Sequence, residues 1–459
     1  MMDTATAARA VHGRMQGGNV RFTRVATDTR TLAPGDLFVA IKGERFDGHD
    51  FVRAAFEHGA AAALVAETRS GSLPGNLVVV PDPLGALGAL AAHWRTRFAI
   101  PVAVIVGSNG KTTVKEMLAA ILRAHYGDAN VLATEGNFNN AIGLPLTLLR
   151  LRAGHEAAAI ELGMNHPGET AELAAIAQPT IAVVNNAQRE HQEFMKSVAD
   201  VATEHAAIIR ALPEGGTAVL NADDPCVDVW RIAARECAGV RVIEFAQDHA
   251  AAVRGERPSG AGDGILQITT PTGDARACIH APGRHNVSNA LAATAAGLAM
   301  GVPLSAVVRG LEAFRPVVGR LVALQAESGA AVIDDSYNAN PDSVRAAIDV
   351  LAGAPAPRWL VLGDMGEVGV NGPRFHREVG EYARAASIDR LLTVGALAAE
   401  SAAAFGEGAQ HFASVEALAT HVAAAADAGT TVLVKGSRFM RMERVVAALT
   451  GQSTRQGAH

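Results

Sequence analysis

The stretch Val102-Ala103-Val104-Ile105-Val106-Gly107-Ser108-Asn109-Gly110-Lys111-Thr112-Thr113 constrains this chain more than any other. Its first five residues are apolar, uncharged and mostly β-branched, which reads as a buried parallel strand. Gly107 and Gly110 let the following loop bend through positive φ. Lys111-Thr112-Thr113 then opens a helical stretch over residues 114–122. Strand, glycine loop and helix N-terminus together make an anion cradle, because free backbone N–H groups and the helix dipole face a phosphate. Gly107, Ser108, Asn109, Gly110, Lys111, Thr112 and Thr113 are therefore read as a nucleoside-triphosphate site. Lys111 reaches the outer phosphates and the Thr112 hydroxyl holds Mg²⁺. The loop is one residue shorter than the usual G-x-x-x-x-G-K-[ST].

A chain of 459 residues has room for two or three domains with buried cores. Aromatic residues make up only 4%, so Ala, Val and Leu must fill those cores. The formal charge of −6 argues against a nucleic-acid binder, so an anionic substrate must be held by local Lys and Arg. Lysine occurs only at Lys42, Lys111, Lys115, Lys196 and Lys435. Cys226, Cys237 and Cys278 lack C-x-x-C spacing and form no even set, which fits reduced thiols. No apolar segment of signal-peptide type opens the sequence. Residues 290–308 are uncharged but are broken by Pro303, so they read as a buried helix and turn. A cytoplasmic protein is expected.

Three units are expected, at residues 1–98, 99–318 and 319–459, in an α/β fold. In the first, Asp36 to Ile41 reads as a strand after the Pro34-Gly35 turn. Polar clusters flank it, Thr27-Asp28-Thr29-Arg30 and Gly43-Glu44-Arg45-Phe46-Asp47-Gly48-His49, in residue types that serve turns as well as ligands. The second unit alternates strands and helices, implying a mostly parallel sheet. Its strands end in Glu161, Asn185-Asn186 and Asn221, and ligands of open α/β sheets gather at such ends. Glu161 is a candidate Mg²⁺ ligand opposite Thr112, whereas His191 alone is a weak one. Residues 255–264 read as a flexible loop and residues 264–279 as a hairpin around Pro271-Thr272-Gly273-Asp274. Asn286 either reads an adenine edge or caps a helix. In the third unit, four strands end in Asp335-Ser336-Tyr337-Asn338, Gly363-Asp364, Gly395 and Lys435-Gly436-Ser437-Arg438, as in a Rossmann-like sheet. No G-x-G-x-x-G is present, so a nicotinamide site is unsupported.

Taken together, these motifs resemble the Mur ligases, whose phosphate loop has this short form. Thr134-Glu135-Gly136-Asn137-Phe138-Asn139-Asn140 is similar to the family's T-x-G-N-x-N-N, and Glu161-Leu162-Gly163-Met164-Asn165-His166-Pro167-Gly168-Glu169 to its E-L-G-x-N-H-x-G-E. Asp335 to Pro341 and Lys435 to Arg438 resemble the branch that joins D-alanyl-D-alanine to UDP-N-acetylmuramoyl tripeptide. The resemblance implies a three-domain architecture with a central P-loop ATPase sheet and a Rossmann-like C-terminal domain. It implies ATP and Mg²⁺ as cofactors, the tripeptide and dipeptide as partners, and a monomer. Thr27, Asp28, Thr29, Arg30, Gly43, Arg45, Asp47, Gly48 and His49 would hold the UDP end. Lys111, Glu161, His191 and Arg320 would form the catalytic set, with Thr112, Glu161 and His191 around Mg²⁺. Asn286 would face adenine, with Arg320 and Asp335 on phosphate and ribose. Asn137, Asn139, Asn140, Asn165, His166, Asn338, Asn340, Lys435 and Ser437 would contact substrate, with Asp364 and Glu367 near the dipeptide or the closed interface.

One departure stands out. The family commonly carries a carbamylated lysine at a place that falls here within Ala202-Thr203-Glu204-His205-Ala206, where there is no lysine. Glu204 or His205 would have to substitute, or one Mg²⁺ would have to suffice. The motifs leave open a sister ligase adding one amino acid, a folylpolyglutamate-type ligase, or a nucleotide-binding protein without catalysis.

Overall fold

The computed structural model describes residues 1–258 and 264–452. The central strand Val102–Val106 lies in the middle of a nine-stranded sheet, between Ala157–Glu161 and Ile181–Val184. Both neighbours run parallel to it, and all five of its residues are buried. The parallel part runs from Val131–Ala133 at one edge to Val253–Glu256. Ile265–Thr270 and Gly273–Cys278 close the other edge as an antiparallel hairpin, turning where Pro271-Thr272 predicts. The stretch 255–264 is not a loop at its start: Gly255 and Glu256 belong to the strand Val253–Glu256. Residues 259–263 of that expected loop lie outside the described residues.

The phosphate-loop helix is longer than its apolar stretch suggests, running Lys111–Tyr126. It packs against Arg284–Ala299 and Leu304–Ala313, the two helices on either side of Pro303. Small residues let these helices approach. A Cβ added to Gly310 would lie 2.3 Å from the Ile121 Cα, and one added to Gly297 would lie 3.0 Å from the Ile121 side chain. Ala and Gly thus do the packing that aromatic side chains do in other cores.

The first unit holds a five-stranded sheet of Arg14–Gln16, Leu77–Val80, Ala62–Ala66, Asp36–Val39 and Arg24–Ala26, parallel except for the first. Its helix Pro83–Arg95, capped by Asp82, packs on the central unit's helices Gly143–Leu148 and Glu169–Ala177. One apolar cluster therefore runs continuously from Met2 to Ala234. The third unit orders its strands Val322–Gln325, Ala331–Asp335, Thr431–Lys435, Arg358–Gly363, Arg390–Val394 and Ala409–Phe412, parallel except for the first. The four strands read from sequence are all present, joined by two edge strands. Its two apolar clusters contain only its own residues. The first two units share a core, and the third meets the central one across a polar cleft. No helix among the described residues is long and apolar enough to cross a membrane.

Candidate active site

The cleft between the central and third units encloses about 1170 Å³ and takes in residues 108–113 of the phosphate loop. The strand order reverses around Val102–Val106, so the loop after it opens at the switch point where such sheets bind ligands. Gly110 adopts φ +83, and a Cβ there would lie 2.3 Å from Asn289 Oδ1 and 2.7 Å from Asn185 Nδ2. Asn185 Nδ2 donates to Asn109 O at 2.8 Å and to Asn289 Oδ1 at 2.9 Å. The loop is thus pinned by buried amides from two other elements.

Thr112 Oγ1 donates to Glu161 Oε2 at 2.8 Å, and Asn139 Nδ2 donates to Glu161 Oε1 at 2.7 Å. The T-x-G-N-x-N-N loop and the strand end Glu161 therefore meet the phosphate loop. Behind them the fully buried Lys115 Nζ donates to Thr134 O at 2.7 Å, and Thr134 Oγ1 accepts from Glu161 N.

Lys111 Nζ is folded back onto Gly107 O at 2.5 Å and lies 3.3 Å from Glu190 Oε2. Glu190 was not among the sequence candidates. It is 79 residues from Lys111 in the chain, and its only local signal is its place in the polar segment after Asn185-Asn186. Burial pushes its pKa up, but Lys111 and His205 outweigh that and hold the carboxyl at about 2. His191 sits with Nδ1 2.7 Å from Glu367 Oε2 and Nε2 3.9 Å from Glu190 Oε2. Its partnership with Glu367 carries the central unit across to the third.

From the third unit, Arg320 stacks over the Tyr337 ring at 4.4 Å, with Arg438 at 5.9 Å on the same ring. Lys435 Nζ donates to Asp335 Oδ2 at 2.5 Å and to Asn338 O at 2.9 Å. Burial raises the Asp335 pKa despite that ammonium. Two further ties cross the cleft. Asn340 Nδ2 donates to Asn109 Oδ1 at 2.9 Å, and Arg189, also missed in the sequence, grips Asp342 and Glu378.

The cleft thus brings together Lys111, Thr112, Glu161, His191, Arg320, Asp335, Asn137, Asn139, Asn140, Asn165, Asn286, Asn338, Asn340 and Lys435. Asn286 is buried and engaged, donating to Pro282 O and accepting from Asn289 Nδ2. Other candidates do not line this cleft. His166 pairs with Glu169 and stacks on Phe194. Ser437 Oγ donates to Ala339 O and accepts from Gly366 N. Asp364 Oδ1 accepts from Leu397 N and Ala398 N, at the start of the helix Ala398–Phe405. Thr27 to Arg30 and Gly43 to His49 lie in the first unit, away from the cleft lining. There Arg30 pairs with Asp28. The buried His49 ring accepts from Ala66 N through Nε2 and meets Asp47 through Nδ1.

Of the two substitutes for the missing lysine, Glu204 is spent on Gly168 N and Thr170 N, at the start of the helix Glu169–Ala177. His205 faces Glu190 at 3.2 Å.

Among the described residues no group of three or more His, Cys, Asp or Glu is placed to hold a metal. Mg²⁺ does not need one, since it takes one or two carboxylates and completes its shell with phosphate oxygens and water. The paired Thr112 hydroxyl and Glu161 carboxylate fit that demand.

Fold and site define a P-loop nucleotide-binding enzyme whose phosphate cleft is covered by a Rossmann-like unit. The Mur ligase catalytic domain matches residues 21–95, the Mur ligase middle domain residues 105–297, and the Mur ligase glutamate ligase domain residues 319–438. The chain belongs to the Mur ligase family. The UDP-N-acetylmuramoyl-tripeptide–D-alanyl-D-alanine ligase of Escherichia coli is 43% identical over 97% of both chains. Its Bacillus subtilis counterpart is 35% identical over 93% of this chain and 92% of its own. Among solved structures, MurF from Acinetobacter baumannii superposes with a TM-score of 0.89 at 31% identity, covering 98% and 99% of the two chains. MurF ligase from Thermotoga maritima in complex with ADP gives 0.81 at 27% identity, covering 93% and 96%.

Proposed function

We propose that this chain is the ATP-dependent, ADP-forming ligase that joins D-alanyl-D-alanine to UDP-N-acetylmuramoyl tripeptide in peptidoglycan synthesis. The observation that carries the reading is the shared cleft: Lys111 and Thr112 form one wall, and Arg320 and Lys435 form the other. A carboxylate is a poor electrophile, so the tripeptide's terminal carboxylate attacks the γ-phosphate of ATP, giving an acyl phosphate and ADP. The dipeptide amine attacks the acyl carbon and phosphate leaves. Phosphoryl transfer of this kind depends on positioning and charge neutralisation, not on a nucleophilic side chain.

Lys111 and the loop amides hold the phosphates, Arg320 approaches from the third unit, and Asn286 and Asp335 lie toward the nucleoside. Thr112 and Glu161 would hold Mg²⁺, with His191 as a further candidate ligand, and the bound ion would neutralise phosphate charge. The uridine end belongs on the first unit, at Thr27 to Arg30 and Gly43 to His49. Asn137, Asn139, Asn140, Asn165, His166, Asn338, Asn340, Lys435 and Ser437 are assigned to the peptide ends. Domain limits at 98/99 and 318/319, a monomeric state and a cytoplasmic location complete the reading.

A coupled phosphate-release assay with diaminopimelate- and lysine-containing tripeptides tests it. D-alanyl-D-alanine must support turnover where single amino acids and folate do not. Lys111→Ala should abolish ligation and ATP turnover together; unchanged turnover would remove Lys111 from the reaction.

A further inference from the structure

Glu190 is a buried carboxylate of the cleft whose charge the mechanism above does not use. Its side chain is 6% exposed, and it meets three cationic or ionisable groups: Lys111 at 3.3 Å, His205 at 3.2 Å and His191 at 3.9 Å. The approach of His205 is not aligned as a hydrogen bond, so Glu190 Oε1 is left without a hydrogen-bond partner, and so is His205 Nδ1. A buried oxygen costs free energy unless something satisfies it, and here the open oxygen belongs to a residue lining the phosphate cleft.

No lysine is free in the cleft to carry a carbamate. Carbamate formation joins a neutral amine to CO₂ and releases a proton, so it needs a free lysine. Lys42 and Lys196 are exposed and do not line the cleft. Lys115 is sealed against Thr134 and Glu116, Lys435 is bound to Asp335, and Lys111 belongs to the phosphate loop. Within residues 202–206, the Ala202 carbonyl accepts from Trp230 Nε1, Thr203 Oγ1 donates to Ala199 O, and Glu204 serves helix amides. His205 alone turns toward the cleft cluster, and what it meets there is the Glu190 carboxylate, delivered from the loop after Ile181–Val184.

We infer that Glu190, backed by His205, is the coded carboxylate that orders Lys111 and His191 at this phosphate site, so that ligation by this chain needs no lysine carbamate and does not depend on dissolved CO₂. Glu190 acts as a positioning residue, fixing Lys111 and His191 from one side of the cleft. The inference rests on the ligase reading for its activity readout only.

The test begins with the full-length wild-type chain in CO₂-stripped buffer, assayed with and without added bicarbonate. The two rates should be equal. A loss of rate that bicarbonate restores would overturn the inference. Carbon-13 NMR in labelled bicarbonate should show no lysine carbamate, and such a resonance would overturn it independently of any substrate. Glu190→Gln should lower kcat about 100-fold or more, and His205→Gln about 10- to 100-fold. Both should weaken Mg²⁺-dependent ADP binding measured by calorimetry, while melting stays cooperative. Wild-type kcat and ADP affinity in Glu190→Gln would refute the role. If the wild-type chain ligates none of the acceptors, the ligase reading fails, and the NMR and ADP measurements still decide this inference.

Discussion

Arg189→Ala should open the cleft in the absence of ligand. Arg189 donates to Asp342 through Nε and one terminal nitrogen, and to Glu378 through the other at 2.8 Å, with its guanidinium 5.2 Å from the Phe375 ring. Burial disfavours its charge, and the two carboxylates outweigh that, raising its pKa. Hydrogen bonds to charged groups contribute about 1.5–3 kcal/mol each when buried. Here the partner side chains are 23% and 35% exposed, and the Arg189 backbone N–H keeps its own bond to Asp342. Solvent screening and that residual bond reduce the sum to about 2 kcal/mol, which is roughly a 30-fold shift from closed to open. Among the described residues the third unit shares no apolar cluster with the rest, so what opposes the change is the remaining polar ties, Asn340 to Asn109 and the Glu367 contacts with His191 and Glu193. Small-angle scattering of the ligand-free variant should report a larger radius of gyration, and KM for ATP should rise with the melting temperature nearly unchanged. Arg189→Lys keeps the charge but loses the planar fork, so it should fall between the two. Scattering and KM identical to wild type would refute the claim that this contact holds the cleft closed.

Three further outcomes follow from the site. Gly110→Ala places a side chain at φ +83 against Asn289 and Asn185, so nucleotide binding measured by calorimetry should be lost even where the fold survives. Thr112→Val removes the hydroxyl from Glu161 and should raise the Mg²⁺ concentration needed for half-maximal phosphate release, whereas an unchanged Mg²⁺ dependence would dissociate Thr112 from the cation. Burial, with Lys435 and Arg257 nearby, lowers the His285 pKa to about 4. The unfolded chain then binds a proton near pH 6.5 that the folded chain refuses. This contribution is present above pH 6.5 and is lost as pH falls toward 4. Denaturation midpoints of His285→Gln should fall less steeply than wild type across that window, and parallel slopes would refute the assignment.

The site was legible wherever its residues are adjacent in the chain and sit at the carboxyl end of an apolar strand. Lys111, Thr112 and Glu161 are of that kind, since a strand's end fixes where the next polar residue points. Glu190 and Arg189 were not. Each lies in an irregular segment whose polar residues look alike until a partner 79 or 153 residues away selects one. Asp364 and Ser437 also follow strands, and here the third unit engages both internally, on helix amides and a loop carbonyl.

What the sequence determined by itself was local: the strand-loop-helix corner, the order of α/β repeats and the Ala-rich packing, all set by backbone propensity and apolar spacing over a few residues. Tertiary structure alone decided which charges meet. It folded Lys111 onto Glu190, turned His205 and not Glu204 toward the cleft, and left the third unit attached through polar contacts. Pairing of buried charges depends on distances between segments remote in the chain, which no local pattern encodes.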